Sequence, residues 1–343
     1  MKILVDVGHP AHVHFFKNVI RNLENKGHEI KITARDKEVT LKLLDAYGFK
    51  YECRGKGYTG ITGKIRGIFE MDYNLYKTAR KFKPDILTGI HNPYVAHVGK
   101  LLRKRSITFT DTEHAKLANI LTFPFTDLIC TPACFRDDLG KKHIKYNGYH
   151  ELSYLHPNYF KPDPDVLDEL HLSKDDKFIV MRFVSWDASH DIGHGGFTIE
   201  AKLKAVDELK KYGKLFITSE TPLPKELEKY RLNISPEKIH DLLHYAALYI
   251  GEGATTATEA AILGTPSIYI SSLVNTMGNF DELEKKYGLV YLFTEPEDAL
   301  NKAKVILTDK NIKNKWGLKR EKLLKDKIDV TSFITELIIN FKI

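Results

Sequence analysis

Short apolar runs, each followed by a turn and then an amphipathic stretch, recur along this chain in two series. In the first, Ile3–Val7 reads as a buried strand, and Phe16, Val19, Ile20 and Leu23 follow at helical spacing until Gly27 stops them. Glu29–Thr33 is the next strand, Val39–Tyr47 a helix ended by Gly48, and Phe49–Cys53 a short strand. A glycine-rich stretch from Gly55 to Gly67 leads into an amphipathic helix that ends before Pro84. Asp85–Gly89, Ser106–Thr110 and Asp127–Cys130 read as further strands. The second series runs from strand Phe178–Phe183 through a helix over Ala201–Tyr212, strand Leu215–Thr218, helix Ile239–Ala246, strand Leu248–Gly251 and helix Thr255–Leu263 to strand Ser267–Ile270. Strands alternate with helices in this way when a parallel sheet is covered by helices on both faces. The expected fold class is therefore α/β, with two Rossmann-like, doubly wound parallel-sheet domains.

A chain of 343 residues is long for one domain and comfortable for two, and 43% hydrophobic against 28% charged residues supplies two globular cores. Residues 153–176 carry three prolines and interrupt the rhythm. The expected organisation is an N-terminal domain at 1–152, a connector at 153–176 and a C-terminal domain at 177–325. A last helix at 326–343, charged and then apolar, is able to cross back onto the first domain.

The three cysteines, Cys53, Cys130 and Cys134, are too few for a disulfide framework. A lone C-x3-C without a second pair is a poor zinc signature, so free thiols are expected. No stretch approaches 18 apolar residues, and the first apolar run is short and already contains Asp6, unlike a secretion signal. A cytoplasmic protein is expected. The net charge of +7 gathers at Arg103-Lys104-Arg105, Lys141-Lys142 and along Lys64 to Lys83. A solvated face explains these clusters, and peripheral contact with the inner membrane face stays open. Aromatic residues do not interleave with them as a nucleic-acid platform requires, which sets that partner aside.

Ligands of open α/β sheets sit beyond the carboxyl ends of the strands, so the loops there hold the candidate chemistry. The most informative is Tyr249-Ile-Gly-Glu-Gly-Ala-Thr-Thr-Ala-Thr-Glu-Ala-Ala-Ile-Leu-Gly-Thr-Pro266. Gly251 and Gly253 let the backbone turn off a strand without a side chain over the helix start. The first helical amides then point outward with the positive end of the macrodipole behind them. An anion such as a diphosphate suits that position, with Thr255 and Thr256 adding hydroxyls. Glu259 lies four residues past Thr255, about 6 Å along the same face, within reach of two ribose hydroxyls. An ordinary capped helix with an exposed glutamate is the alternative.

GAxTxxEAxxxGxP after a strand resembles the donor-site helix of the GT-B glycosyltransferases, above all the enzymes that add N-acetylglucosamine to the lipid-linked peptidoglycan precursor. UDP-N-acetylglucosamine 2-epimerases carry a related helix on the same fold. Through VDVGHPAHVHFFKN, FTDTEHAKL, RFVSWDASHD and GEGATTATEAAILGTP, the chain as a whole resembles domain-of-unknown-function family 354, grouped with the GT-B superfamily. The resemblance implies two domains facing a central cleft and a nucleotide-sugar enzyme. The diphosphate falls to Gly253, Ala254, Thr255 and Thr256, the ribose to Glu259 and the base edge to Ile234 in the loop Asn233-Ile234-Ser235. Ser219 and Glu220 are expected to face the same cleft, a helix cap being the alternative.

On the reactive side, Gly8-His9-Pro10-Ala11-His12-Val13-His14 follows the first strand. Three imidazoles in six residues are costly to bury for packing, and histidine titrates near neutrality. The similar transferases place a histidine at the position of His12 beside the acceptor. Pro10 and Ala11 replace the glycines of that family and stiffen the loop. Gly8, His9 and His14 are counted as substrate-binding with it. In Thr110-Asp111-Thr112-Glu113-His114, Asp111 and Glu113 are general-base candidates and His114 a substrate contact; a capping box accounts for one acid but not both. In Ser185-Trp-Asp-Ala-Ser-His190-Asp191, Ser185 suits a phosphate contact and His190 the leaving diphosphate. His190-x3-His194 is interrupted by glycines, and Asp163-Pro-Asp165 lies in the proline-rich connector, so neither reads as a metal site. His91, His97, His150 and Glu151 are held as outer candidates.

The functional expectation is an enzyme that transfers a sugar, an N-acetylhexosamine, from UDP to a hydroxyl acceptor, lipid-linked or glycan, in cell-surface glycan biosynthesis. No metal or other cofactor is needed. A UDP-N-acetylglucosamine 2-epimerase-like reaction is the alternative.

Overall fold

The computed structural model describes residues 1–56, 61–184, 197–274 and 276–341. The chain divides into two compact units, residues 1–159 with 328–343, and residues 160–327.

Unit 1 is built on seven parallel strands: β1 (Lys2–Val7), β2 (Glu29–Asp36), β3 (Tyr51–Lys56), β4 (Ile86–Ile90), β5 (Arg105–Phe109), β6 (Leu128–Pro132) and β7 (His143–Tyr146), in the order β3-β2-β1-β4-β5-β6-β7. The strand order reverses between β1 and β4, which pair directly from Ile3 against Ile86 to Asp6 against Gly89. Ile3, Leu4, Val5 and Val7 are buried, as a central strand covered on both faces requires. The helix Pro10–Asn25 turns Val13, Phe16, Val19, Ile20 and Leu23 inward. Its Pro10 stands at the first turn, where no amide is needed.

Asp6 points into this core and is fully buried. Its carboxylate accepts from Arg54 Nε (2.6 Å) and Nη2 (2.6 Å), Thr33 Oγ1 (2.5 Å) and Asn92 Nδ2 (2.5 Å). Asn92 Oδ1 in turn accepts from Val95 N at 3.2 Å and caps the helix Pro93–Leu102. One carboxylate thus ties β1, β2, β3 and the turn after β4 together.

Unit 2 carries five parallel strands, β8 (Phe178–Phe183), β9 (Lys214–Ser219), β10 (Leu248–Gly251), β11 (Ser267–Ile270) and β12 (Val290–Phe293), in the order β12-β11-β10-β8-β9. Met181, Phe183, Phe197, Leu209, Ile217, Ile250, Ile268 and Ile306 fill its core. Here the order reverses between β8 and β10. The helix that follows β10 at that point is Ala254–Leu263.

The structure alters three sequence expectations. β7 and β12 are additional strands at the sheet edges. The connector expected at 153–176 is packed chain: Leu152, Ser153, Tyr154 and Leu155 are buried in a short helix of unit 1, and Val166 and Leu167 in a helix of unit 2. Two helices close the chain: Ile312–Asp326, and the expected terminal helix, shortened from 326–343 to Val330–Asn340, which Asp329 caps by accepting from Ser332 N at 3.0 Å. The second packs on Pro10–Asn25 and belongs to unit 1. Among the described residues no helix is long and apolar enough to cross a membrane.

His97, an outer site candidate, lies instead among three helices. Its Nδ1 is 2.9 Å from Asp72 Oδ2, on the helix Ile61–Phe82, and its Nε2 is 2.8 Å from the carbonyl of Leu121, on the helix Lys116–Thr122. Both neighbours are acceptors, so the imidazolium fits best, and Asp72 raises its pKa. A raised pKa gives stability that is complete below the unfolded value of about 6.5 and is lost as pH rises through the folded value. Between pH 6 and 9 the denaturant midpoint of the native protein should therefore fall more than that of His97→Gln. Equal slopes would remove His97 as the source.

Candidate functional site

The switch point of unit 1 lies under the loops that leave β1 and β4. His9 is the N-cap of Pro10–Asn25, its Nδ1 accepting from Ala11 N at 3.2 Å, and its Nε2 lies 3.5 Å from Glu38 Oε1. Both ring nitrogens are engaged, which gives His9 a capping role rather than the expected substrate contact. His9 holds the Glu38 carboxyl down to about 2. His12, one turn further, is half-buried; its Nδ1 accepts from Gly8 N at 3.3 Å and its ring lies 5.9 Å from that of His9. Burial holds the His12 imidazole well below the usual histidine range, with His9, His150, Lys37 and His91 adding to the effect. It is neutral at pH 7, with its Nδ1 lone pair occupied by the Gly8 amide.

His14 is not part of this cluster. It is buried, with Nδ1 3.1 Å from Tyr47 Oη and its ring 5.4 Å from that of Tyr154. Two residues along an α-helix rotate a side chain by about 200°, so His12 and His14 cannot share a face. The expected substrate contact is here a core histidine.

His91 follows β4 with φ of 44°, a conformation that non-glycine residues adopt at a cost, and Glu38 after β2 has φ of 50°. His91 Nδ1 is 3.4 Å from Thr110 Oγ1, and burial lowers its pKa. After β5, Asp111 Oδ1 accepts from Thr112 Oγ1 at 3.1 Å, and Asp111 Oδ2 lies 3.4 Å from His150 Nδ1. Asp111 therefore lies beside His150 and within the electrostatic reach of His91, and His12 feels both of these imidazoles. Glu113 turns elsewhere: its Oε1 accepts from Arg136 N at 3.3 Å, which ties it to the chain after β6. Of the two expected general bases, Asp111 is the one that faces the His150 imidazole. The capping-box alternative does not apply, because the helix Lys116–Thr122 has Ala115 at its N-cap and no side-chain cap. His114 sits half-buried in the turn before it.

In unit 2, Gly253 caps the helix Ala254–Leu263 without a side chain, and Ala254, Thr255 and Thr256 are half-exposed. The first regular bond runs from Ala257 N to Gly253 O at 2.9 Å. The amides of Ala254, Thr255 and Thr256 thus precede the ladder and are available to an anion. β10 pairs with β8 so that Gly251 stands opposite Arg182. A Cβ on Gly251 would lie 2.4 Å from the Arg182 carbonyl oxygen, and one on Gly253 would lie 2.6 Å from Arg182 Cδ. Both glycines are needed for this close approach. It brings a guanidinium, which sequence reasoning missed, to the helix opening. Arg182 Nη2 is 2.8 Å from Glu220 Oε1, so Glu220 serves Arg182 here rather than standing alone. Ser219 Oγ accepts from Thr221 N at 3.3 Å, the turn-capping alternative to a ligand role. Ile234 is half-exposed in the loop after Leu232, whose amide donates to Ile217 O at 2.8 Å.

Glu259 is not the exposed glutamate of the capped-helix alternative. It is buried, with Oε1 2.9 Å from Nε2 of buried His240. Glu252, between the two glycines, accepts from Val184 N at 3.1 Å and Phe197 N at 2.6 Å. Ser185 and His190, expected at the phosphate and leaving group, lie outside the described residues. Among the described residues no group of three or more His, Cys, Asp or Glu side chains is arranged to hold a metal ion.

The family described as "Protein of unknown function (DUF354)" matches residues 1–341. The chain belongs to the DUF354 family. Uncharacterized protein MJ0665 of Methanocaldococcus jannaschii is 27% identical to this DUF354 chain over 282 residues, covering 78% of it and 81% of the relative. Among solved structures, the S. aureus MnaA-UDP co-structure superposes with a TM-score of 0.70 at 14% identity, over 99% of this chain and 95% of that one. A putative UDP-N-acetylglucosamine 2-epimerase from Listeria monocytogenes gives 0.70 at 12% identity, over 99% and 94%. Spinosyn rhamnosyltransferase SpnG complexed with thymidine diphosphate gives 0.63 at 14%, over 99% and 100%. At these identities the likeness establishes the fold, and the DUF354 chain has the GT-B fold, two parallel-sheet α/β domains.

Three members of the site lacked a clear sequence signal. Arg182 sits inside an apolar strand, Glu38 in a polar loop, and His240 on an amphipathic helix.

Proposed function

We propose that this DUF354 protein is a GT-B glycosyltransferase that takes an N-acetylhexosamine from UDP and attaches it to a hydroxyl acceptor in cell-surface glycan assembly. The observation that carries the reading is the opening of the Ala254–Leu263 helix, where amides outside the ladder and the Arg182 guanidinium converge on one anion position. Those amides, the dipole and Arg182 supply the positive charge that a departing diphosphate needs, so the reading calls for no metal. Two of the structures sharing the fold are described as holding UDP and thymidine diphosphate, which supports a nucleoside diphosphate as the anion. In the transfer, the acceptor oxygen forms its bond to the sugar C1 and gives its proton to Asp111. The bond from C1 to the diphosphate oxygen breaks, and its electron pair leaves on UDP.

A sugar-nucleotide epimerase is the second reading, favoured by the group of neutral imidazoles around Asp111, which suits moving a proton at carbon. The two are separated by one experiment. The purified protein is incubated in D2O with UDP-N-acetylhexosamines, with and without a panel of hydroxyl acceptors. Acceptor-dependent release of UDP supports transfer, and deuterium in recovered nucleotide sugar without acceptor supports epimerisation. Absence of both signals would refute a nucleotide-sugar reaction.

A further inference from the structure

We infer that His150 is a positioning residue for Asp111, fixing that carboxylate for the proton-transfer step; the inference rests on the functional reading above. His150 follows β7, and its side chain is 9% exposed against 24% for Asp111. Asp111 is thus the partner able to reach a substrate hydroxyl, with the imidazole behind it. The His150 ring is wedged by Phe15, with centroids 4.6 Å apart, and lies nearly parallel to Tyr146 at 6.5 Å. A phenyl ring would fill this apolar slot equally well.

The imidazole comes at a cost. With the Asp111 carboxylate 3.4 Å from Nδ1, the ring proton belongs on that nitrogen, and Nε2 is left as a bare lone pair. Nε2 is buried and has no partner among the described residues. An unsatisfied buried polar atom costs about 1–3 kcal/mol, and such an atom in a native core calls for an explanation. Packing offers none. The return is at Nδ1: with Thr112 holding Oδ1 and His150 beside Oδ2, the half-exposed carboxylate is held from two sides. Burial lowers the His150 pKa while the charge of Asp111 opposes it, consistent with a neutral ring at pH 7 whose Nδ1 faces the Asp111 carboxylate.

In the reaction, the substrate hydroxyl passes its proton to an Asp111 oxygen as its own oxygen bonds to C1 and UDP departs with the electron pair of the broken bond. His150 stays neutral throughout and takes no part in bond making. The arrangement makes an unusual prediction, because function and stability should move apart. His150→Phe removes the unsatisfied nitrogen, so its Tm should equal or exceed that of the native protein, while kcat for sugar transfer falls by about 10- to 100-fold, within the range of a general base's contribution. KM for the nucleotide sugar should stay within about twofold, since ground-state binding is untouched. His150→Asn, whose amide can occupy the Nδ1 position, should recover most of kcat.

A spectroscopic arm does not depend on turnover. In 15N spectra of the histidine-labelled full-length protein, the signals lost in His150→Asn should be those of an Nδ1–H tautomer, and Asp111→Asn should shift them. If His150→Phe loses Tm and kcat in parallel, or if the tautomer carries its proton on Nε2, the positioning role is overturned while the functional reading stands. If the native protein turns over no nucleotide sugar, the functional reading falls and takes the catalytic use of the pair with it.

Discussion

Arg182→Ala is expected to weaken the binding of UDP by about 10- to 100-fold, since a hydrogen bond to a charged group contributes about 1.5–3 kcal/mol. The guanidinium reaches the helix opening only because residues 251 and 253 lack side chains, and the three positions form a graded series. On Gly253, a new Cβ would press on Arg182 Cδ and Nε at 2.6 and 2.8 Å, atoms of a side chain that can swing aside. Gly253→Ala should therefore lose several-fold in UDP affinity with little loss of stability. On Gly251, the Cβ would meet the Arg182 backbone at 2.4 Å, and a paired strand cannot withdraw. Gly251→Ala should destabilise unit 2 by at least about 1–3 kcal/mol, the usual penalty of overpacking. Glu220 provides an internal control of opposite sign. It holds Arg182 at 2.8 Å, so Glu220→Gln should tighten UDP binding if phosphate and carboxylate compete for one guanidinium. Calorimetric titration of the four variants checks the series, and an Arg182→Ala protein that binds UDP like the native one would dismiss the anion position.

Much of this fold is legible in the sequence because strands buried on both faces of a parallel sheet must be nearly continuous apolar runs. Ile3–Val7 and Phe178–Phe183 could hardly be anything else. The strands that escaped, His143–Tyr146 and Val290–Phe293, lie at sheet edges, where Ile144 and Lys145 are exposed and no apolar run is required. The glycine turn into Ala254–Leu263 was readable since its logic is local. Arg182 was not, because its relevance is set by the register that places it against Gly251, 69 positions away. The same holds for Asp111 and His150, which meet only once β5 and β7 flank β6. His14 was misplaced for a reason the sequence did contain: a helix beginning at Pro10 turns residues 12 and 14 to opposite sides.

The largest effect on stability is expected at the base of the unit 1 site. Asp6→Ala and Arg54→Ala should each destabilise unit 1 by about 3–5 kcal/mol, the cost of leaving one member of a buried ion pair without the other. Both side chains are almost wholly inaccessible, at 0% and 1% exposure, so solvent cannot take over the stranded charge. The double variant should lose clearly less than the sum of the two, because removing the pair also removes both desolvation costs. Asp6 reaches further than its partner, since Asn92 both donates to it and caps the helix behind His91. Hydrogen exchange followed by mass spectrometry resolves these effects within the intact two-unit chain. Protection should fall in β1, β2 and the Pro93–Leu102 helix, while peptides of the five-stranded sheet keep theirs. Arg54→Ala should spare the Asn92 contact and so leave the amide of Val95 better protected than Asp6→Ala does. Equal loss at Val95 in both variants would mean that the guanidinium, rather than the carboxylate, organises the turn that presents His91.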